Sequence, residues 1–500
     1  MKRNKFSLSN TKLLSCDMGE IVPIGLTEVL AGDSIQQSTS ALVRAAPLLS
    51  PVMHPVHVNI HHWFVPHRLV WEDWESFITG GPDGMDASVF PTIESPAVTG
   101  FAVGSLGDYL GAATGIPGLE VSALPFRAYA LVFNEWYRDQ DLVTPLTIDT
   151  GSGPDTTTST SLQVGAWEKD YFTTSRPWEQ KGPAITIPLG TNAPVTGIGV
   201  KNSPNANNTS GLWESNSTTS QTFGNSFTAS AGSDLHFKMQ GSGAAGSSNK
   251  PQIFADLSNA SAVTVNVLRE ALALQRYEEA RARYGSRYIE YLRYLGVRSS
   301  DARLQRPEYL GGGKETIQFS EVLQTSEGSD PVGTMRGHGI SAARSQRFRR
   351  FFEEHGYVLS FCVVRPKTIY GNALFRHWNR RTKEDFWQKE LQHIGQQEVL
   401  NKEVYAGHTD PDGIFGYQDR YDEYRRTESS IAGEFRTSLL NFWHMARIFS
   451  SDVALNADFV KCIPTERTFA VPSQDVLYIM ARHRIQARRL VAATGESFIY

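Results

Sequence analysis

The sequence predicts a mainly β chain, an antiparallel β-sandwich decorated by large insertions. Three observations carry that expectation. Strand-like stretches lie near both ends of the 500 residues, helical periodicity and a long polar segment lie between them, and strand and helix do not alternate as they do in a parallel sheet. No internal repeat is present.

The first seventy residues read as strands and turns punctuated by Pro and Gly, from "EIVPIGLTEVLAGDS" through "SALVRAAPLLSPVMHPVHVNIHHWFVP". "WEDWESFITGG" reads as a short helix stopped by glycines, residues 80–125 as Gly/Pro-rich loop, and "PFRAYALVFNEWYRD" as a helix with Pro125 at its start. From about 145 to 250 the chain is rich in Ser, Thr, Asn and Gly. The longest helical pattern follows, "NVLREALALQRYEEARARYGSRYIEYLRYLG", with Tyr277, Tyr284, Tyr288, Tyr291 and Leu295 at helical spacing; such a stripe reads as packing surface rather than a base-stacking platform. "KETIQFSEVLQT" alternates like a strand, "HGYVLSFCVVRP" is the continuous apolar run of a buried strand, and "FRHWNRRTKEDFWQKELQHIG" is helical or irregular.

Composition narrows the function classes. A net charge of −4 excludes a dedicated nucleic-acid binder that works by overall basicity, while leaving local basic patches open. Cys16, Cys362 and Cys462 are odd in number and far apart, which offers no disulfide framework and points to a reducing compartment. The opening "MKRNKFSLSNTKLLSC" imitates a lipoprotein signal, but Asn10 and Lys12 interrupt its apolar stretch, so neither secretion nor membrane insertion is expected.

No catalytic, cofactor or metal site is expected. His57 and His61 stand four apart, as zinc ligands on a helix would, yet Pro55, Pro66 and the β-branched neighbours favour a strand, which separates them by about 13 Å at roughly 3.3 Å per residue. Glu72 and Glu75, beside Trp71 and Trp74, imitate a sugar-cleaving cleft in composition; a surface helix explains the same letters. "LGGGKE" lacks the spacing and hydroxyl of a phosphate loop, and no Gly-x-Ser-x-Gly elbow occurs.

Several long stretches carry a specific resemblance. "CDMGEIVPIGLTEVLAGD", "APLLSPVMHPVHVNIHHWFVPHRLVWEDWESFITGG", "RGHGI" with "EHGYVLSFCVVRP", "HIGQQEVLNKEVY" and "FGYQDRYDEYRRTESSIAGEFRTSLLNFWHMARIF" resemble the major capsid proteins of microviruses, the gokushovirus-like single-stranded DNA bacteriophages. The resemblance implies one domain over residues 1–500. That domain is an eight-stranded antiparallel jelly roll with loops longer than its strands, repeated about sixty times in a closed icosahedral shell. It also implies a virion assembled in the bacterial cytoplasm, an internal scaffolding protein, a DNA pilot protein, a packaged single-stranded DNA genome and a host cell-surface receptor. A carbohydrate-active β-sandwich, glycosidase or lectin, is the competing reading.

Three expectations follow for particular residues. A slightly acidic subunit cannot neutralise a genome by net charge, so both a concentration of cations on the inner wall and a small basic DNA-binding protein are expected. The candidate DNA contacts are Arg344, Arg347, Arg349 and Arg350, interleaved with Phe348, Phe351 and Phe352, and Arg482, Arg484, Arg488 and Arg489; solvated charges or intersubunit ion pairs are the alternative for each. His57 and His61, if they abut neighbouring subunits, are expected to loosen the shell on acidification through roughly pH 6 to 7. Finally, the resemblance implies that the polar insertion of residues 190–250 forms a surface protrusion at the three-fold axis that contacts the host, where symmetry mates are expected to bury Leu212, Trp213, Phe223 and Phe227 against one another.

Overall fold

The computed structural model describes residues 3–185, 265–285, 287–326 and 331–494, together with the backbone of short strands at 195–196, 198–200, 212–214 and 254–255. Eight principal strands build the sandwich: β1 (Asn10–Cys16), β2 (Val22–Val29), β3 (Ser34–Ala45), β4 (Val56–Pro66), β5 (Glu308–Thr316), β6 (Met335–Arg344), β7 (Gly356–Pro366) and β8 (Leu477–Arg489). One sheet runs β1-β8-β3-β6 and the other β2-β7-β4-β5, and every pairing is antiparallel. This interleaved order is that of an eight-stranded jelly roll. Short strands extend the first sheet: Asn4–Ser7 beside β8, Phe348–Phe351 beside β3, and Gln318–Leu323 beside β6.

Hydrophobic alternation explains how the sheets meet. Val56, Val58 and Ile60 of β4 point between the sheets, where they join Val43 of β3 and Ile479 and Ala481 of β8 in one apolar cluster. At the centre the core is polar. The two ring nitrogens of His62 bond to the hydroxyls of Ser360 (2.8 Å) and Ser345 (3.0 Å), and the Gln37 amide donates to Ser360 (3.0 Å). The Thr39 hydroxyl donates to His483 Nδ1 (2.8 Å), whose Nε2 donates to the Ile24 carbonyl (2.9 Å). The chain of bonds ties β3 and β8 of one sheet to β2, β4 and β7 of the other. Apart from the Gln37 Oε1, which has no partner among the described residues, these polar groups are satisfied, and at this depth they specify register, because a slip would orphan each of them.

The outer face of the second sheet is covered by residues 70–137, the first part of the insertion between β4 and β5. That insertion begins with α1 (Trp74–Thr79), which ends at Gly80 in the left-handed region at φ 83°, as the glycine signal anticipates. Residues 80–125, read as loop, also contain α2 (Leu106–Leu110) and a small hairpin of Thr92–Glu94 with Glu120–Ser122. α3 (Leu124–Val132) starts with Pro125 near its first turn and lays Phe126, Tyr129 and Val132 into a cluster with Trp63, Val65, Leu359, Phe361 and Val363. β4 and β7 are therefore covered on both faces, which is why "YVLSFCVV" carries no alternation.

The long helical pattern is divided. α4 (Val265–Tyr284) ends before Gly285, whose φ of +97° is left-handed, and α5 (Tyr288–Tyr294) restarts the helix. The stripe expected to pack is open in the single chain: Tyr284, Tyr288, Tyr291 and Leu295 are exposed. "FRHWNRRTKEDFWQKELQHIG" forms three single 3₁₀ turns, at Arg376–Trp378, Lys383–Asp385 and Leu391–His393.

By backbone contacts, Gly182–Glu278 forms a unit of its own, apart from the unit of Met1–Lys181 with Glu279–Tyr500. In the smaller unit, Ile198–Val200 pairs with Leu212–Glu214 and Val195–Thr196 with Phe254–Ala255. Leu212 and Trp213 belong to one of these strands; Phe223 and Phe227 lie outside the described residues.

Candidate nucleic-acid interface

β8 alternates without a break over its first twelve residues, with Leu477, Ile479, Ala481, His483, Ile485 and Ala487 buried and the residues between them exposed. The exposed set is Tyr478, Met480, Arg482, Arg484, Gln486 and Arg488, so three guanidinium groups stand on one face of one strand. Cross-strand register extends this face. Arg482 lies opposite Ser40 of β3, which lies opposite Arg344 of β6; Tyr478 lies opposite Arg44; Arg488 lies opposite Lys5 and Ser34. Arg349 is opposite Gln36, and Phe351 opposite Ser34. Arg347 reaches the same Gln36, whose amide oxygen, turned to face the guanidinium, accepts at 3.1 Å. Along β8, Arg482 and Arg484 are roughly 7 Å apart and Arg484 and Arg488 roughly 13 Å apart, with Gln486 between them.

None of these rows contains a carboxylate, and Lys5, Arg44, Arg344, Arg349, Arg482, Arg484 and Arg488 form no ion pair among the described residues. In water like charges repel by about 0.6 kcal/mol at the closer spacing and about 0.3 kcal/mol at the wider one. An anion laid across the face removes this cost. Two aromatic rings lie within the same rows: Tyr478, 43% exposed, and Phe351, 46% exposed, with Arg3 over its ring at 4.8 Å. A face of cations with open rings among them is what single-stranded nucleic acid requires, because phosphates need charge and unpaired bases need a flat apolar partner.

Four residues expected on this face are engaged elsewhere. Arg489 follows Arg488, and consecutive residues of a strand point to opposite sides; it pairs with buried Asp33 at 3.0 Å and donates to the Glu28 carbonyl. Arg350 is out of phase with Arg349 in the same way and pairs with Glu308 at 2.8 Å. Phe348 and Phe352 are buried in the sandwich, packed with Ile35, Phe64 and Ile485, and offer no ring to a base. Conversely, Lys5, Arg44 and Tyr478 belong to the face and were not singled out in the sequence. The signal for Tyr478 was available in the strict alternation of "LYIMARHRIQARR"; that for Arg44 and Lys5 was not, because it depends on register with strands hundreds of residues away.

Comparison with known proteins decides the wider identity. A family model described as capsid protein (F protein) matches residues 1–498. The chain belongs to that phage capsid protein family. It is 38% identical over 498 residues to capsid protein VP1 of Bdellovibrio phage phiMH2K, a match covering 95% of this chain and 90% of the relative. It is 33% identical to capsid protein VP1 of Chlamydia phage 1 (95% and 92% covered) and 31% identical to that of Spiroplasma virus 4 (95% and 90% covered). These are microvirus proteins, and the chain is a structural capsid subunit of the virion rather than an enzyme.

Membership in this capsid family removes the ground for a carbohydrate-active reading, and local geometry agrees. α1 begins at Trp74, so Glu72 precedes the helix and shares no helical face with Glu75; Glu72 accepts from Thr150 (2.6 Å), and Trp71 is fully buried. His57 and His61 each bond to a neighbouring side chain, His61 to the Tyr137 hydroxyl (2.7 Å) and His57 to the Thr316 hydroxyl (3.2 Å). Burial lowers the pKa of His61 to about 4, and burial with Lys314 nearby lowers that of His57. In the folded chain, His61 therefore stays neutral through the pH 6 to 7 window expected from sequence, and His57 titrates below its ordinary value.

Proposed function

We propose that the open face of the β1-β8-β3-β6 sheet lines the inside of an icosahedral shell of about sixty subunits and binds the packaged single-stranded DNA. The observation that supports this most is the carboxylate-free set of cations on a sheet face within a chain of net charge −4. Because the subunit as a whole repels phosphate, attraction must be local, and an additional small basic DNA-binding protein fits the remaining deficit. Phosphates bridge the arginines while Tyr478 and Phe351 stack on bases. An internal scaffolding protein and a DNA pilot protein complete the assembly in this reading, in the cytoplasm of the bacterial host.

Salt dependence tests the assignment. If seven cations each neutralise a phosphate, the logarithm of the association constant for single-stranded DNA falls with log salt at a slope of about −5. Changing Arg482, Arg484 and Arg488 to Ala together should weaken binding at low salt and make that slope shallower by about 2. An unchanged slope removes these residues from the interface.

The same reading gives residues 190–250 the part of an exposed protrusion at the three-fold axis that contacts a host receptor. It is supported by composition: between Lys201 and Lys250 only five of fifty residues are charged, too few for a charge-extended tail, and large apolar residues are too sparse for a core. Replacing residues 200–248 with a short Gly/Ser linker should leave particles closed and reduce adsorption to host cells. Failure to assemble, or undiminished adsorption, contradicts that part.

A further inference from the structure

The region between β4 and α3 holds an electrostatic anomaly. From residue 69 to residue 126 the chain contains no Lys, Arg or His, yet it carries eight carboxylates. None of the eight has an ion-pair partner among the described residues, and Glu94 lies directly opposite Glu120 on the small hairpin. Like charges placed opposite each other destabilise a strand pair unless an outside cation lies over them. The same region exposes large apolar side chains, including Ile78, Met85, Val98 and Val103, the last two at 85%. An acidic surface interleaved with open apolar groups is costly in isolation and has the composition of a contact.

The chain carries a surface of opposite character. α5 and the turn after it expose Tyr288, Tyr291, Tyr294, Leu295 and Val297, and among them Arg293, Arg298 and Arg303 are exposed without an ion-pair partner among the described residues. Glu290 is occupied in capping, accepting from the backbone nitrogen of Arg287 at 3.0 Å, and Asp301 is taken by Arg306 at 2.6 Å. Tyr and Arg are the residues most enriched at the energetic centres of protein interfaces.

We infer that the acidic region of residues 72–120 in one subunit docks on the Tyr/Arg surface of residues 288–303 in a second copy of the same chain. A closed shell needs such a pair: contacts around rotation axes of order higher than two join two different patches, each complementary to the other, whereas a two-fold contact uses one patch twice. Charge and apolar exposure match across the two surfaces, and neither charge set forms an ion pair among the described residues. The contact is heterologous, and its charged rim weakens as salt screens it.

Charge reversal tests this with the full chain, followed by sedimentation velocity at low salt. The wild-type chain is expected to form multimers that dissociate as salt rises. A variant with Glu75→Lys, Glu94→Lys and Glu120→Lys, and a second with Arg293→Glu, Arg298→Glu and Arg303→Glu, should each keep the wild-type circular dichroism spectrum and melting curve and sediment as monomer. Mixed together, the two variants should associate again, because the reversed acidic region of one fits the reversed surface of the other. A wild-type chain that stays monomeric overturns the inference. So does multimerisation by either variant alone, or two folded monomeric variants that fail to associate on mixing.

Discussion

The two sheets of the jelly roll share a core and differ in what lies on their other faces. The second sheet is buried twice, by the sandwich on one side and by α3 and its neighbours on the other; β7 keeps nine of its eleven residues buried. The first sheet is buried once, and β8 alternates between core and solvent. A strand with two covered faces can vary only among apolar residues and satisfied polar ones, whereas a strand with one free face can present any chemistry at every second position without disturbing the fold. The covered sheet stabilises the subunit. The bare sheet carries the cations.

The largest expected effect comes from acid, and it falls mainly on β4 and the residues flanking it. Burial lowers the pKa of His62 to about 3 and those of His54 and His67 to about 4, with His61 similarly placed. A histidine whose folded pKa lies below its unfolded value of about 6.5 binds protons more readily when unfolded, so its contribution is full above pH 6.5 and is lost as pH falls toward the folded pKa. The histidine contribution should be flat from pH 8 to 7 and then decline by up to about 1.4 kcal/mol per pH unit for each fully buried ring between about pH 6 and 4. It is partly offset by Glu20 and Glu403, whose burial raises their pKa to about 7 and about 6 and which gain protons in the folded state over the same range. Urea titrations followed by tryptophan fluorescence measure this, since Trp63 lies 6.1 Å from His61 between ring centres. Constant stability down to pH 5 contradicts the burial assigned to these rings.

Substitution separates the sheets next. Phe361 on β7 is fully buried, edge-on to Tyr129 at 5.4 Å, and Phe361→Ala should cost about 3–5 kcal/mol of unfolding free energy. Arg482→Ala on β8 should change it by no more than about 0.5 kcal/mol, because the side chain touches little and the strand register does not depend on it. Equal costs at the two positions would mean that the bare face is covered within the subunit.

The same contrast explains what could be read from the letters. β7 announced itself as a continuous apolar run, and the strand through "HVNIHHWFV" was legible from its flanking prolines and β-branched residues. Helix α1 and its glycine stop, and Pro125 at the start of α3, were legible because caps are local. The cationic face was half legible. Period-two alternation sorts Arg488 from Arg489 and Arg349 from Arg350, but reading arginines as clusters rather than by phase joined residues that point to opposite sides. Phe348 and Phe352 failed for the same reason. The polar core of Gln37, Thr39, His62, Ser345, Ser360 and His483 was not legible, since its members are up to 446 residues apart and only the jelly-roll order brings them together.

The central claim is that the bare, cationic face of the β1-β8-β3-β6 sheet meets the genome. Ultraviolet cross-linking of intact virions, followed by mass spectrometry of the protein, tests it most directly, because unstacked bases couple to aromatic rings they touch. Nucleotide adducts should concentrate on Tyr478 and Phe351 and on the peptides that carry Arg344 and Arg482. Adducts confined to other surfaces, with Tyr478 and Phe351 unmodified in DNA-filled particles, would contradict it.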